Sequence, residues 1–279
     1  MNELINKEWK LHTHGLVRVV DLMGGDDAVV QMARCSYGEG TKTVNEDRGL
    51  IRYLMRHRHT SPFEGCVVKL HLKMPIFIAR QWVRHRTASM NEYSARYSEM
   101  RDEFYVPQTD YVQIQSKANK QGSEEAGLDF KTQLDFANYT EYSAQEKYTG
   151  YKDSLDQGIA REMARINLPL TVYTEMYWQM NLHNLLHFCS LRSDPHAQRE
   201  IRDYSDIILH EVIKQWCPLT YEAFMDYVMN ADTFSAQEMT ILKRKLNPND
   251  DKTIYEMDEY NGLSKREQDE FLKKIGRSV

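Results

Sequence analysis

The clearest pattern along the chain is an alternation. In residues 66–74, CVVKLHLKM, Val68, Leu70, Leu72 and Met74 fall on one side and Lys69, His71 and Lys73 on the other. That predicts a half-buried strand of an antiparallel sheet. Residues 16–22, LVRVVDL, predict another strand, and the following GGDD offers a turn with Asp26 or Asp27 as N-cap of a helix to about Ala33. Residues 46–57 predict a helix. Pro75 suits the first position of the next one, PIFIARQWVRHR, whose last turn is basic and leads into a loop.

Residues 115–127, QSKANKQGSEEAG, are polar and glycine-bearing, which predicts a surface excursion. Helical spacing then dominates, over 138–166 up to the break at Pro169, over 171–191 and over 196–216. In the last of these Ile201, Tyr204, Ile208, Val212 and Trp216 recur at three-to-four spacing. Two capping boxes, Ser235…Glu238 and Ser264…Glu267, predict two more helices around the linker NPNDDK. The balance is helix-rich α+β, with strands mostly in the N-terminal half and no internal repeat.

Composition narrows the function classes. At 279 residues, with 41% hydrophobic and 28% charged positions, the chain has ample material for a core, in one large domain or two ordinary ones. No apolar run approaches the roughly 20 residues of a membrane span, so no membrane partner is expected. The start, MNELINKEWK, lacks the apolar region of a signal peptide. Cys35, Cys66, Cys189 and Cys217 stand singly, without CxxC or ligand spacing, which suits a reducing, cytoplasmic setting. A net charge of −5 argues against nucleic acid as a partner and makes a local arginine cluster more meaningful.

Three clusters could carry chemistry. The first runs from Arg80-Gln81-Trp82-Val83-Arg84-His85-Arg86 through Ser89, Asn91, Ser94 and Arg96. A bare RHR is an ordinary solvated helix end, but short donors followed by a fork-shaped cation form the set that wraps phosphate oxygens. Glu92 among them suits a sugar hydroxyl or a ring N–H. The second, His59-Thr60-Ser61-Pro62-Phe63-Glu64, reads by itself as a Ser-Pro turn. The third is NLHNLLHFCSLRSDPHAQ, residues 181–198, where His183 and His187 lie one helical turn apart at zinc-ligand spacing. Asn184 occupies the glutamate place of HExxH, so that motif's general base is missing. A metal site completed by Asp194 or His196 and plain interhelical contacts both stay open on spacing alone.

Together the clusters resemble the flavin-dependent thymidylate synthases, whose signature is RHRxxSxNxxSxR. RHRTASMNEYSAR matches it at Arg84, His85, Arg86, Ser89, Asn91, Ser94 and Arg96. Seven fixed positions at roughly 5% background make a chance match on the order of one in a billion per starting point. HTSPFE, PIFIARQW, ARINLPL, NLHNLLHF and LRSDPHAQ follow the family in order and spacing, from about residue 16 to about residue 230.

The resemblance implies a catalytic domain over 1–231 and a helical C-terminal extension of unknown role over 232–279. It implies a central antiparallel sheet flanked by helices, assembled as a homotetramer with shared active sites. The implied reaction converts dUMP, methylenetetrahydrofolate and NADPH to dTMP, tetrahydrofolate and NADP⁺, with FAD as hydride carrier and no metal. Matching positions imply Ser61, Arg84, His85, Arg86, Glu92, Asn181, Leu182, His183 and His187 as FAD contacts. Gln81, Arg84, Glu92, Ser94 and Arg96 would hold the phosphate and sugar of dUMP, Arg165 and Arg192 would reach the uracil, and His59 would lie near flavin and folate.

The chemistry agrees with this. Carbon 5 of uracil is a poor nucleophile until electron density enters the ring, either by addition of a cysteine at carbon 6 or by a preorganised arginine that stabilises the charge. No cysteine lies in the arginine and serine clusters, and Cys189 sits in a packed-looking run. Arg192 is therefore expected to be the catalytic group. Two rival classes are a nucleotide- or RNA-binding module using the same basic loop, and a metal-dependent hydrolase built on His183 and His187. The acidic total charge and SLRSDPHAQ speak against the first.

Overall fold

The computed structural model describes residues 3–35, 44–117, 122–124, 127–246, 253–263 and 265–277. They form two compact units, Met1–Val228 and Met229–Val279.

The first unit is built on a five-stranded antiparallel sheet. Its elements run β1 (Glu8–Leu11), β2 (Gly15–Met23), α1 (Asp26–Arg34), α2 (Val44–Arg56), β3 (Val67–Pro75), α3 (Ile76–Trp82) and β4 (Ser89–Glu92). A short hairpin, β5 (Ile114–Gln115) with β6 (Ser123–Glu124), precedes the long helix α4 (Phe130–Asp156) and α5 (Arg161–Ala164). Then come β7 (Tyr173–Asn181), α6 (Leu182–Arg192) and α7 (Arg199–Ile207), which continues through a π-helical stretch Ile208–Ile213 into α8 (Lys214–Trp216) and then α9 (Pro218–Phe224). Sheet order is β1-β2-β3-β7-β4.

Side-chain alternation explains the sheet. Val68, Leu70, Leu72 and Met74 of β3 are completely buried. On β7, paired with β3 from Val67↔Asn181 to Pro75↔Tyr173, Met176, Trp178 and Met180 point the same way. The expected strand over 66–74 is present. The expected single helix over 171–191 is not: its first half is β7, so a strand from the C-terminal half lies between β3 and β4 in the sheet. Thr, Tyr and Trp favour a pleated surface over a helix, and Asn181 then ends the strand by capping α6, its Oδ1 accepting from Asn184 N at 2.9 Å.

On the buried face, Trp82 of α3, Trp178 of β7 and Phe188 of α6 pack ring to ring, with centroids 4.4–5.3 Å apart. Ile201, Tyr204, Ile208 and Val212, expected on one helical face, are all fully buried. Tyr204 donates its hydroxyl to the Lys73 carbonyl at 2.7 Å. A Cβ at Gly15 would sit 2.4 Å from that hydroxyl oxygen, so glycine is required there. The other sheet face is polar: His71 bonds Arg18 at 3.1 Å and Glu175 at 3.2 Å, and Glu175 also accepts from Arg101 at 2.7 Å.

Other expectations shift. α3 starts after Pro75, which ends β3 instead of opening the helix, and α3 stops at Trp82, short of the RHR run. The expected loop follows, interrupted by the short strand β4 over Ser89–Glu92. The helix expected over 138–166 begins at Phe130 and stops at Asp156. Neither Asp26 nor Asp27 caps α1, whose N-cap is Gly25 with no side-chain bond. Asp26 instead caps a helix almost two hundred residues away, accepting from Leu219 N (2.7 Å), Thr220 N (3.0 Å) and Thr220 Oγ1 (2.7 Å) at the start of α9.

The second unit holds α10 (Ala236–Lys245), α11 (Asp258–Asn261) and α12 (Lys265–Lys274) around Ile241, Ile254, Met257, Tyr260 and Phe271. The capping box Ser235…Glu238 is formed in both directions. Ser264, the linker 247–252 and part of the expected excursion 115–127 lie outside the described residues. Among the described residues no helix is long and apolar enough to cross a membrane.

Burial pushes the Asp26 carboxyl pKa up, and its bonds to Thr220 and Leu219 pull it back down. Asp26→Ala strands those donors in a partly buried place, so it should lower unfolding free energy by about 1–3 kcal/mol. Asp26→Asn, which keeps one acceptor, should lose less. Denaturant midpoints of the three proteins check this; an Ala variant as stable as the parent would contradict the capping role.

Candidate active site

The aromatic packing at Trp82 ends α3, and the chain then turns: Arg84 N donates to Gln81 O at 3.4 Å and His85 N to Trp82 O at 3.0 Å. The RHR run is thus set at a helix C-terminus, where cations are favoured. Arg84 and Arg86 are exposed. Among the described residues neither guanidinium makes an ion pair, which leaves two fork-shaped donors open to an anion. β4 then pairs with β7, Ser89↔Gln179 through Glu92↔Met176, and carries Asn91 and Glu92 along the sheet edge.

His85 lies half-buried, with its ring edge-on to Phe188 at 4.8 Å. Arg192, at the end of α6, donates Nε–H to His85 Nε2 at 2.9 Å and points an Nη2–H toward Gln81 O at 3.4 Å. Accepting at Nε2 fixes the imidazole as neutral, with its proton on Nδ1. Burial, then the Arg192 charge and the nearby His187, push the His85 pKa down to about 4. Burial also lowers the Arg192 pKa, but an arginine stays charged at neutral pH. Gln81 is held in turn by Gln198, Nε2 to Oε1 at 2.5 Å.

Next to this cluster in sequence, a cleft of about 360 Å³ is lined by Glu92, Tyr93, Ser94, Arg165 and Thr174, with Ile76 and Leu168 among its apolar walls. Thr174, only 3% exposed, donates its hydroxyl to Glu92 Oε1 at 2.7 Å. Ser94 Oγ accepts from Arg96 N at 3.3 Å, and Arg96 pairs with Glu162 at 3.2 Å across a pair more than half exposed on both sides. So exposed a pair is weak and releasable.

The structure thus brings Glu92, Ser94 and Arg165 to one cleft, and Gln81, His85 and Arg192 to one cluster. His187 adds an exposed ring 6.5 Å from His85. Ser61 is exposed in the 3₁₀ turn Ser61–Gly65, which packs against α6. His59 is exposed beside Tyr53, at a ring distance of 5.7 Å. His183 is partly buried and Asn181 caps α6. The Leu182 side chain is fully buried and its N–H bonds Cys66 O at 2.8 Å, so it offers no side-chain surface to a ligand. Thr174, Tyr93 and Gln198 were not singled out in the sequence. Thr174 was hidden because its strand was read as helix, although the alternation Thr174, Met176, Trp178, Met180 carries the signal.

Among the described residues no three His, Cys, Asp or Glu side chains converge as a metal site. Asp194 bonds the His196 ring at 2.9 Å. Cys66, Cys189 and Cys217 are completely buried. Burial pushes the Cys189 thiol up to about 12, so it is no thiolate at neutral pH.

Residues 18–219 match the family model described as thymidylate synthase complementing protein. A flavin-dependent thymidylate synthase of Rickettsia bellii is 47% identical over 285 aligned residues, covering 98% of this chain and 95% of its own length. One from Gluconobacter oxydans is 50% identical over 273, covering 97% and 88%. A solved structure of a UMP/dUMP methylase, PolB from Streptomyces cacaoi, bound with 5-Br dUMP, superposes with a TM-score of 0.72 at 35% identity, covering 79% of this chain and 98% of that one.

The His85 bond sets a pH dependence. The folded pKa of about 4 lies below the ordinary 6.5, so the unfolded chain takes up the proton first. The stabilising contribution is full above pH 6.5 and is lost as pH falls toward 4. Arg192, His187 and Phe188 are the groups that face the ring. Histidine ¹⁵N spectra should show a neutral Nδ1–H tautomer at pH 7, and the acid-side fall in melting temperature should shrink in His85→Gln. A His85 ring protonated at pH 6 would refute this.

Proposed function

The chain belongs to the flavin-dependent thymidylate synthases, and from that premise we propose how its own residues carry out the methylation of dUMP to dTMP. The observation that carries the reading is the convergence of Arg192, His85 and Gln81, with the segment that follows His85 in sequence lining a cleft through Glu92 and Ser94 together with Arg165.

In this reading the cleft takes dUMP. Ser94, Arg96 and Arg84 neutralise the phosphate as fork-shaped and hydroxyl donors, with Arg96 exchanging Glu162 for the ligand. Glu92 has Oε1 occupied by Thr174, so Oε2 is the oxygen left to accept from the sugar. Gln81 adds its amide. Arg165 and Arg192 meet the base, and Arg192 stabilises the negative charge that must build on the uracil ring before carbon 5 can attack the methylene carbon. A guanidinium aimed by hydrogen bonds is preorganised for this, and three of the four cysteines are buried away from ligand.

The donor set also fits an FAD. Arg84 and Arg86 match a diphosphate. Asn181 and the rings of His85, His183 and His187 supply polar and flat surfaces, with Ser61 and Glu92 completing the set; the Leu182 position implied by the resemblance is taken up by the core. When bound, FAD supplies a two-electron carrier between NADPH and the methylene carbon derived from methylenetetrahydrofolate. His59, exposed beside Tyr53, offers a flat surface on the folate side. No step in this scheme needs a metal or a nucleic-acid partner. Residues 1–231 are read as the catalytic domain and 232–279 as an extension peripheral to chemistry.

Freshly purified protein should be yellow and release FAD on denaturation; colourless protein that gains no flavin spectrum from added FAD would sink the reading. Arg192→Ala should slow tritium release from carbon 5 of labelled dUMP by roughly 10²–10³-fold at saturating nucleotide. Lysine should restore little, since a point charge lacks the planar fork.

The assembly is read as a homotetramer with shared sites. Along α4 Phe136, Tyr139 and Tyr142, at three-residue spacing, are 53%, 67% and 70% exposed, an apolar face that a second copy would cover. Light scattering should give four times the chain mass. A fully active monomer would overturn this.

A further inference from the structure

We propose that His85 is a positioning residue that aims the Arg192 guanidinium at the base while leaving its charge unneutralised. The inference rests on the role given above to Arg192 and adds to it a reason for the residue at position 85.

An arginine that must be held still is ordinarily held by a carboxylate, because a charge-assisted pair is the stronger bond. Here the nearest partner is an imidazole, with Arg192 Nε at 2.9 Å from His85 Nε2. Its second support is another neutral group, the Gln81 carbonyl at 3.4 Å. Both acceptors fix direction and neither contributes a negative charge. Of the five guanidinium N–H donors two are used, one on Nε and one on Nη2, so three remain for the ligand.

The choice of a neutral acceptor follows from the reaction. A carboxylate at position 85 would fix the fork equally well but would cancel the charge needed on the uracil side, since the two would sit at hydrogen-bond distance in a partly desolvated place. An apolar residue would leave the charge but free the long side chain to sample other rotamers. Histidine satisfies both demands only while neutral. Its ring is itself braced, edge-on against Phe188 at 4.8 Å, and Phe188 belongs to the cluster that packs Trp82 and Trp178. Direction is therefore passed from the core through Phe188 and His85 to Arg192.

The test is a series at one position: His85→Leu, His85→Gln and His85→Glu, with Arg192→Ala and the double variant His85→Leu/Arg192→Ala. Four readouts are taken on the full chain: FAD occupancy from the absorption spectrum, dUMP affinity by equilibrium binding, flavin reduction by NADPH, and tritium release from dUMP. Leucine should slow tritium release by about 10²-fold, and glutamine, a neutral acceptor, should recover at least tenfold of that. Glutamate should be as slow as leucine although it can accept the same bond. The double variant should be no slower than Arg192→Ala, as expected of residues acting as one unit. A His85→Leu protein that releases tritium at the parent rate would overturn the inference. So would a loss that merely follows FAD occupancy or flavin reduction through the series, or a glutamate variant as fast as glutamine. If Arg192→Ala itself turns over normally, the underlying role of Arg192 falls; if it is slow but additive with His85→Leu, only the positioning role falls. Should His85→Leu fail to fold, the glutamine–glutamate comparison still decides, because both side chains are close to isosteric.

Discussion

Three rings hold this site together. Trp82, Trp178 and Phe188 sit at the meeting point of α3, β7 and α6, with centroids 4.4–5.3 Å apart and almost no exposed surface. Each carries a functional segment out of the core. Beyond Trp82 the chain turns into the RHR run. Beyond Trp178 the strand ends at Asn181, the cap of α6, and beyond Phe188 the same helix ends at Arg192. Burying rings of this size is worth several kcal/mol each, and truncating one in a core costs roughly 3–5 kcal/mol. The bonds in the site itself are weaker and half-exposed. They therefore take their geometry from the core instead of supplying it.

The sheet distributes this order. β7 pairs with β3 on one side and β4 on the other, so its two ends serve two regions. At one end Thr174 reaches Glu92 across the β4 edge. At the other Asn181 pairs with Val67, close to the turn that carries Ser61. One alternating strand thereby spaces the elements of a bipartite site, its buried face bonded to the core and its polar residues left for the network around Glu175. In the proposed reading the two parts serve different ligands, a nucleotide in the cleft and a flavin along the arginine run. Acceptors around the Arg192 guanidinium are neutral, while the carboxylates sit on other duties, Glu92 with Thr174 and Glu162 with Arg96.

Much of this was legible along the chain because it is local. The alternation of 66–74, the helical spacing of 196–216 and the capping box at Ser235 depend on neighbours a few residues away, and each is found. The signature from Arg84 to Arg96 is likewise a run of thirteen positions, so its likeness to the flavin-dependent thymidylate synthases could be seen without a fold. Residues 173–181 read as helix along the chain, although Thr174, Met176, Trp178 and Met180 alternate with Glu175, Tyr177 and Gln179, because a true helix follows directly and its spacing extends backwards over the strand.

By itself, then, the sequence determined which side chains are available and where the chain must bury a face: the donors of the RHR run, Arg192 just past an apolar stretch, and the strand and helix periods. Tertiary structure alone decided which of them meet. His85 and Arg192 are 107 positions apart, Thr174 and Glu92 are 82, and Asp26 and Thr220 are 194. No periodicity spans such separations. A hydrogen bond depends on a few tenths of an ångström and on the direction of a donor, and only tertiary packing fixes either, as the rings of Trp82, Trp178 and Phe188 do where α3, β7 and α6 meet.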